Sequence, residues 1–109
     1  MKKNIFTSLP NEISEEIFET LVESKNIKIE RIISHGQSSP EDYWYDQEEN
    51  EWVILLKGNA KLQFKNGDII ELLPGEFINI PAHTKHRVEW TEPDVSTIWL
   101  AVFYKSEQV

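Results

Sequence analysis

The 109-residue sequence predicts an all-β domain, a sandwich or barrel, preceded by one short α-helix. Three observations favour this class. About eight short segments rich in β-branched and aromatic residues follow one another, with turn residues roughly every 8–12 positions. Asn66-Gly67 is a strong signal for a two-residue hairpin turn. Pro74-Gly75 is a second turn pair, and Pro81 ends the segment after it, because proline lacks the N–H that a strand ladder needs.

The first predicted element is a helix from Pro10 to about Ser24, after an irregular flap over residues 1–9. Ile13, Ile17 and Leu21 recur at the four-residue spacing of one helix face. Glutamates early in the segment suit the positive end of a helix dipole. We therefore expect residues 1–25 to form a flap and helix and residues 26–109 to form a β-barrel, within one structural domain.

The predicted strands follow in order. They cover residues 26–35, 43–45, 51–57, 60–65, 69–72, 77–80, 86–90 and 97–104. The segments 51–57 and 97–104 are apolar on both faces, so their second faces must also be covered. Because one helix is short for that task, the sequence predicts a homodimer.

The composition excludes several function classes. The net charge of −8 disfavours nucleic acid and anionic membrane surfaces as partners. The absence of cysteine excludes disulfides, thiolate metal sites and a cysteine nucleophile. No apolar run reaches the roughly 18 residues of a membrane span, and the N-terminus lacks the apolar core of a signal peptide. We expect a cytoplasmic protein.

The stretch from Pro74 to Trp90 is the most informative part of the chain. In a regular strand, His86, Val88 and Trp90 share one face, and the residues between them share the other. This pattern predicts an imidazole at the mouth of the barrel. His83, three residues earlier in the preceding loop, is a candidate for the rim.

These residues resemble the motifs of the cupin superfamily, and the chain resembles small single-domain bacterial cupins. The later cupin motif reads here as Gly67, Pro74-Gly75-Glu76, Ile80-Pro81 and His86. The end of the earlier motif is present as Glu51, six residues and Gly58, but its His-x-His is replaced within Trp44-Tyr45-Asp46-Gln47. The resemblance implies a cupin-type jelly-roll β-barrel.

The resemblance also implies a divalent transition metal (Fe, Mn, Ni or Zn) held by three histidines and a glutamate, of which only Glu51 and His86 match. Asp46 or Gln47 is the nearest source of a further ligand. Neighbouring residues point to opposite faces of a regular strand, so only one of the two faces the cavity. Asp46 would complete a set close to a facial triad, whereas Gln47 would bring Tyr45 with it and make the site rich in neutral oxygens.

The leading hypothesis is therefore a small-molecule-binding cupin with a divalent metal at Glu51 and His86, and it leaves open a lyase, isomerase or oxygenase activity. The alternative is a metal-free ligand-binding or sensor cupin without catalytic activity. A barrel filled with side chains and serving only a structural dimer is the third possibility. Tyr45 is the candidate catalytic acid, base or hydrogen-bond donor. His83 and Trp90 are the candidate ligand-binding residues.

Overall fold

The structure is a computed structural model, and it describes residues 1–10 and 13–106. All regular secondary structure in these residues is β-strand. The strands are β1 (Ile17–Glu23), β2 (Ile27–Ser34), β3 (Asn50–Lys57), β4 (Ala60–Phe64), β5 (Ile69–Leu72), β6 (Phe77–Ile80), β7 (His86–Thr91) and β8 (Thr97–Tyr104). Within the described ranges, no helix is long and apolar enough to span a membrane.

The strands form two antiparallel sheets. The larger has the order β1-β2-β8-β3-β6 and the smaller has the order β5-β4-β7. Tyr45 forms an isolated antiparallel bridge with His86, which extends the smaller sheet beyond β7. Strands far apart in the sequence lie side by side in the larger sheet, because β8 lies between β2 and β3. This arrangement places the first inward residues of β3 and β7 at the same end of the molecule.

The core lies between the two sheets and follows the alternation of side chains along each strand. In β3, Val53 and Leu55 are fully buried, while Trp52 and Ile54, which alternate with them, lie on the outer face. Val53 and Leu55 form one apolar cluster with Trp99 of β8 and Leu62 of β4. Each such side chain stabilises the fold by about 1.5–3 kcal/mol relative to an exposed one.

The predicted N-terminal helix is wrong. Residues 17–23 form the edge strand β1, which pairs with β2 through contacts such as Phe18 opposite Ile32. The β-branched and aromatic residues of this segment fit a strand as well as they fit the face of an amphipathic helix. The strand forms because the edge of β2 supplies partners for its backbone hydrogen bonds. Residues 11 and 12, near the predicted start of this helix at Pro10, lie outside the described residues.

The N-terminal segment is attached to the outer face of the larger sheet through Ile5 and Thr7. The Arg31 guanidinium donates hydrogen bonds to the backbone carbonyls of Ile5 at 3.1 Å and Thr7 at 2.7 Å. It also pairs with Glu19 at 2.7 Å. Ile33 and Ile98, paired on this outer face, are fully buried although they do not belong to the central core.

Of the eight strands predicted from residue 26 onwards, seven are confirmed, and their ends lie within two residues of the predicted ones. The segment 43–45 is reduced to the single bridge at Tyr45. The hairpin predicted at Asn66-Gly67 joins β4 to β5, with Gly67 at a φ of 102°.

Candidate functional site

A cavity of about 330 Å³ opens between the two sheets. This volume is at the lower end of the range for small-molecule sites. Its apolar walls are formed by Phe18, Ile32, Val53, Leu62, Ile80, Trp99 and Phe103. Its polar groups are Glu16, Lys28, Glu30, Tyr45, Gln47, Glu49, Glu51 and His86. The barrel is therefore not filled by its own side chains.

Glu51 and His86 meet inside this cavity from opposite sheets. Glu51 is the first inward residue of β3, and His86 is the first residue of β7. His86 Nε2 lies 3.4 Å from Glu51 Oε1, and the two residues are only 5% and 8% exposed. The structure thus brings together the two residues that match the cupin motifs.

The protonation of His86 is governed by two partners. Its Nδ1–H donates to the backbone carbonyl of Thr84 at 2.8 Å, which leaves Nε2 facing Glu51. Burial lowers the pKa of His86, but the Glu51 carboxylate and the Thr84 carbonyl outweigh it, so the pKa lies above its usual value. His86 is therefore biased towards the imidazolium form by a carboxylate that shares its cavity.

Tyr45 and Gln47 both line the cavity, which resolves the choice left open by the sequence. The Tyr45 N–H donates to the His86 carbonyl at 2.7 Å, and the His83 N–H donates to the Gln47 carbonyl at 2.8 Å. This pairing with the loop and start of β7 fixes the alternation, so residues 45 and 47 face inward. Asp46 between them does not line the cavity.

The Tyr45 ring stacks on the His86 ring, with 5.6 Å between centroids and 29° between planes. Burial, assisted by the nearby carboxylates of Glu16 and Glu51, raises the pKa of Tyr45 to about 12. The phenol is therefore held in its protonated form. Of the roles predicted for it, the environment favours that of a hydrogen-bond donor.

Asp46 and His83 pair with each other outside the cavity. His83 Nδ1 lies 2.8 Å from Asp46 Oδ1, and both side chains are exposed. His83 adopts a φ of 60°, in the left-handed region that non-glycine residues seldom occupy. The pair joins the two segments that carry Tyr45, Gln47 and His86, so it braces the site and does not contribute a group to it.

Trp90 does not share the face of His86, so this part of the prediction is wrong. In the pairing of β7 with β4, Val88 lies opposite Leu62 but Trp90 lies opposite Lys61, with Glu89 as the extra residue of a bulge. A bulge reverses the alternation, and Thr91 takes the inward position instead. Trp90 packs on the outside, under the Lys61 ammonium at 5.5 Å from its ring centroid.

The charged residues that β1 and β2 contribute to the cavity were missed. Lys28, Glu30 and Ile32 stand at alternate positions of β2, and this spacing could have placed them on one face of the predicted strand. Glu16 and Phe18 were missed because the segment that contains them was predicted to be a helix. Ser34 donates a hydrogen bond to the Glu16 carboxylate at 2.6 Å, and burial raises the pKa of Glu16 although this hydrogen bond lowers it.

The family model for the cupin domain (Cupin_2) matches residues 30–103, which is more than half of the chain. The chain belongs to the cupin family. The jelly-roll β-barrel implied by its motifs is therefore confirmed, without the N-terminal helix. No curated protein matches this cupin in a sequence comparison.

Solved structures agree with this assignment. A protein of Ralstonia eutropha JMP134, described as a "putative mannose-6-phosphate isomerase", is 40% identical, with a TM-score of 0.93 over 97% of this cupin and 99% of that chain. A cupin superfamily protein of Desulfitobacterium hafniense is 17% identical, with a TM-score of 0.75 over 90% and 84% of the two chains. A Streptococcus pyogenes protein of unknown function is 18% identical, with a TM-score of 0.77 over 99% and 90%.

The donors present in this cupin do not fit a resident divalent metal. In the part of the chain that the structure describes, no three His, Cys, Asp or Glu side chains come together as a metal site. The two inward positions that replace the His-x-His histidines hold a neutral amide, Gln47, and a phenol, Tyr45, whose pKa is raised to about 12. Glu51 and His86 alone supply two donors, where tightly held metals of this kind use three or four from the protein.

Proposed function

We propose that this cupin binds a small organic molecule in the cavity between its sheets and does so without a resident metal. The observation that supports this proposal is the cavity of about 330 Å³, in which the Glu51–His86 pair is surrounded by apolar walls. A concave apolar site with a few convergent polar groups is the usual form of a ligand site.

The polar groups have different parts in this proposal. Tyr45 donates a hydrogen bond, because its phenol stays protonated. Gln47 offers both a donor and an acceptor. The Glu51–His86 pair either accepts hydrogen bonds from the ligand or transfers a proton to it. Binding is the function that the geometry supports, and proton transfer is a further step for which the pair is suited.

The proposal is tested by two measurements on protein purified without an affinity tag. Elemental analysis is expected to find far less than one metal ion per chain, and one metal per chain that is lost in His86→Ala would contradict the metal-free reading. NMR titration with a fragment library is expected to shift the amides of Tyr45, Glu51 and His86. Ile32→Phe, which narrows the cavity, should abolish these shifts, whereas Ile54→Phe on the outer face should retain them.

A second candidate function is supported by the 40% identity with the Ralstonia eutropha protein, which is described as a "putative mannose-6-phosphate isomerase". A phosphorylated sugar would need a cationic site, and the shallower depression beside the cavity mouth carries Lys25, Lys28 and Lys105 together with Glu23 and Glu49. Conversion of mannose 6-phosphate, followed with and without added divalent metals, tests this candidate. Turnover that disappears in Lys25→Ala would favour it over the first.

We also propose that the chain forms a homodimer through the outer face of the larger sheet. The rings of Trp52 and Phe77 pack there at a tilt, with 5.3 Å between centroids, and Ile54 and Leu100 pair beside them. Phe77 is among the most exposed large apolar side chains of the molecule. A contiguous apolar surface of this kind is typical of a face that a second copy covers.

A further inference from the structure

We propose that the ligand of this cavity is a small organic cation, an amine or quaternary ammonium group attached to an apolar body. This inference rests on the proposed function, since it specifies the ligand of the same cavity. Two features of the lining support it independently: the balance of charge and the number of aromatic rings. Both features depend on cavity residues other than Glu51 and His86, the two positions that match the cupin motifs.

The first feature is an excess of carboxylates. Among the described residues, four glutamates line the cavity and Lys28 supplies the single ammonium group. Lys28 lies 3.7 Å from Glu30, so these two charges offset one another. His86 offsets Glu51 only when it is protonated. Glu49, at the mouth, has no cationic side chain as a partner among the described residues. Carboxylates therefore outnumber cationic groups among the described lining residues, and the net charge of −8 has the same sign.

The second feature is the set of aromatic side chains. Phe18, Tyr45, Trp99 and Phe103 all line the cavity. The faces of such rings carry partial negative charge and attract cations, and aromatic cages are a recurrent means of binding quaternary ammonium groups. One ring already binds a cation, because the Lys28 ammonium lies 5.2 Å from the centroid of Phe103. Carboxylates and ring faces together favour a positive ligand over a neutral or negative one.

The Glu51 carboxylate gives the deep end of the cavity a specific partner for this cation. Its side chain is buried, and among residues 1–10 and 13–106 its charged partner is His86, whose Nε2 lies 3.4 Å away. A carboxylate accepts several hydrogen bonds, so a ligand ammonium could add a charge-assisted hydrogen bond to Glu51 beside the contact with His86. Lys25 and Lys105 of the adjoining depression do not line the cavity, so they would hold an anionic ligand beside the cavity and not inside it.

The test compares ligands of matched shape and opposite charge. The NMR spectrum of the isotope-labelled chain is titrated with phenethylamine and choline, and separately with phenylpropionate and mannose 6-phosphate. The amines are expected to shift the amides of Glu51 and His86 saturably. We expect phenethylamine to bind about tenfold more tightly than phenylpropionate, because only the amine can donate a hydrogen bond to a charged carboxylate.

Variants locate the effect. Glu51→Gln and, at the mouth, Glu49→Gln should each weaken amine binding, and the second remains informative if the first fails to fold. Glu71→Gln makes the same charge change on the exposed face of β5 and should have no effect. Cavity shifts with phenylpropionate that equal or exceed those with the amines would overturn this inference and leave the proposed function intact. Amines that shift only residues outside the cavity would also overturn it, and the Ile32→Phe comparison then decides the proposed function separately.

Discussion

Gly58 is the residue on which the turn between β3 and β4 depends. Its φ of 86° lies in the left-handed region, and a Cβ atom built there would clash with the Thr97 hydroxyl and lie 2.8 Å from Thr97 Cα. Gly58→Ala should therefore combine backbone strain with overpacking against a backbone that cannot move away. We expect the free energy of unfolding to fall by about 3 kcal/mol in urea titrations.

Gly67→Ala is the matched control for this prediction. Its φ of 102° imposes the same kind of strain, but no atom of the described residues beyond its chain neighbours lies within 4 Å of the added Cβ. The loss should be limited to about 1 kcal/mol. Equal losses in the two variants would show that the close approach to Thr97 does not matter.

The His86–Glu51 pair makes stability depend on pH. The pKa of folded His86 is raised above its usual value of 6.5, so the folded state binds the proton more tightly than the unfolded state. The pair's contribution is therefore fully present below the unfolded pKa and is lost as the pH rises through the folded pKa. The difference in free energy of unfolding between wild type and His86→Gln should shrink over this window.

Urea unfolding of both proteins at a series of pH values measures this effect. The same comparison in a Glu51→Gln background supplies the control, because the pKa of His86 loses its chief raising influence there. A difference that stays constant or grows with pH in the wild-type background would contradict the prediction.

At the scale of single residues, sequence predicted more of the site than of its surroundings. Glu51 and His86 carry the spacing of the cupin motifs, and the structure brings them within 3.4 Å. The choice between Asp46 and Gln47 could not be made, because the segment is not a strand and its orientation depends on backbone bonds to His83 and His86. Those bonds join residues 41 and 36 positions apart and leave no local pattern.

Among the elements, β1 is the one that the sequence misassigned. Its apolar residues fit either period, and the deciding factor is the edge of β2, which no local window reveals. The Glu89 bulge in β7 is a second example of the same difficulty. One extra residue turns Trp90 outward, yet nothing in the sequence His86-Arg-Val-Glu-Trp marks where alternation fails.

The N-terminal segment should depend on Arg31. Lysine at this position keeps the charge, but its single ammonium nitrogen cannot replace the planar guanidinium, which reaches Ile5 and Thr7 from one nitrogen and Glu19 from two others. We expect Arg31→Lys to destabilise the attachment of residues 1–10 by about 1–3 kcal/mol while the central core is retained. Hydrogen exchange should then accelerate in these residues and in β1.

Arg87→Lys is the control for this variant. Arg87 is also buried, but it lies in the smaller sheet, where it donates to the Ser39 carbonyl and to Gln63. Its substitution should leave exchange in residues 1–10 unchanged. Acceleration of similar size in both variants would indicate general destabilisation and would refute a specific attachment by Arg31.

At the scale of the whole molecule, the proposed homodimer makes a direct prediction. Phe77→Glu places a carboxylate in the centre of the apolar outer face, next to Trp52. Sedimentation velocity should show a dimer for the wild-type chain and a monomer for this variant. A wild-type monomer at micromolar concentration would contradict the proposal.

Ile69→Glu provides the comparison for the dimer test. Ile69 of β5 is exposed to 54% and Phe77 to 61%, but Ile69 belongs to the other sheet. The variant should remain a dimer. If both substitutions give monomers, the contact is not confined to the outer face of the larger sheet.

The position of β1 has an evolutionary consequence. In the part of the chain that the structure describes, this strand pairs with β2 alone, and Glu16 just before it and Phe18 within it line the cavity. Recombination or drift in the first two dozen codons can therefore alter which molecules are admitted without disturbing the packed interior. Relatives that keep both cupin motifs intact can diverge in chemistry through this segment, so transfer of an activity between them requires comparison of their opening residues.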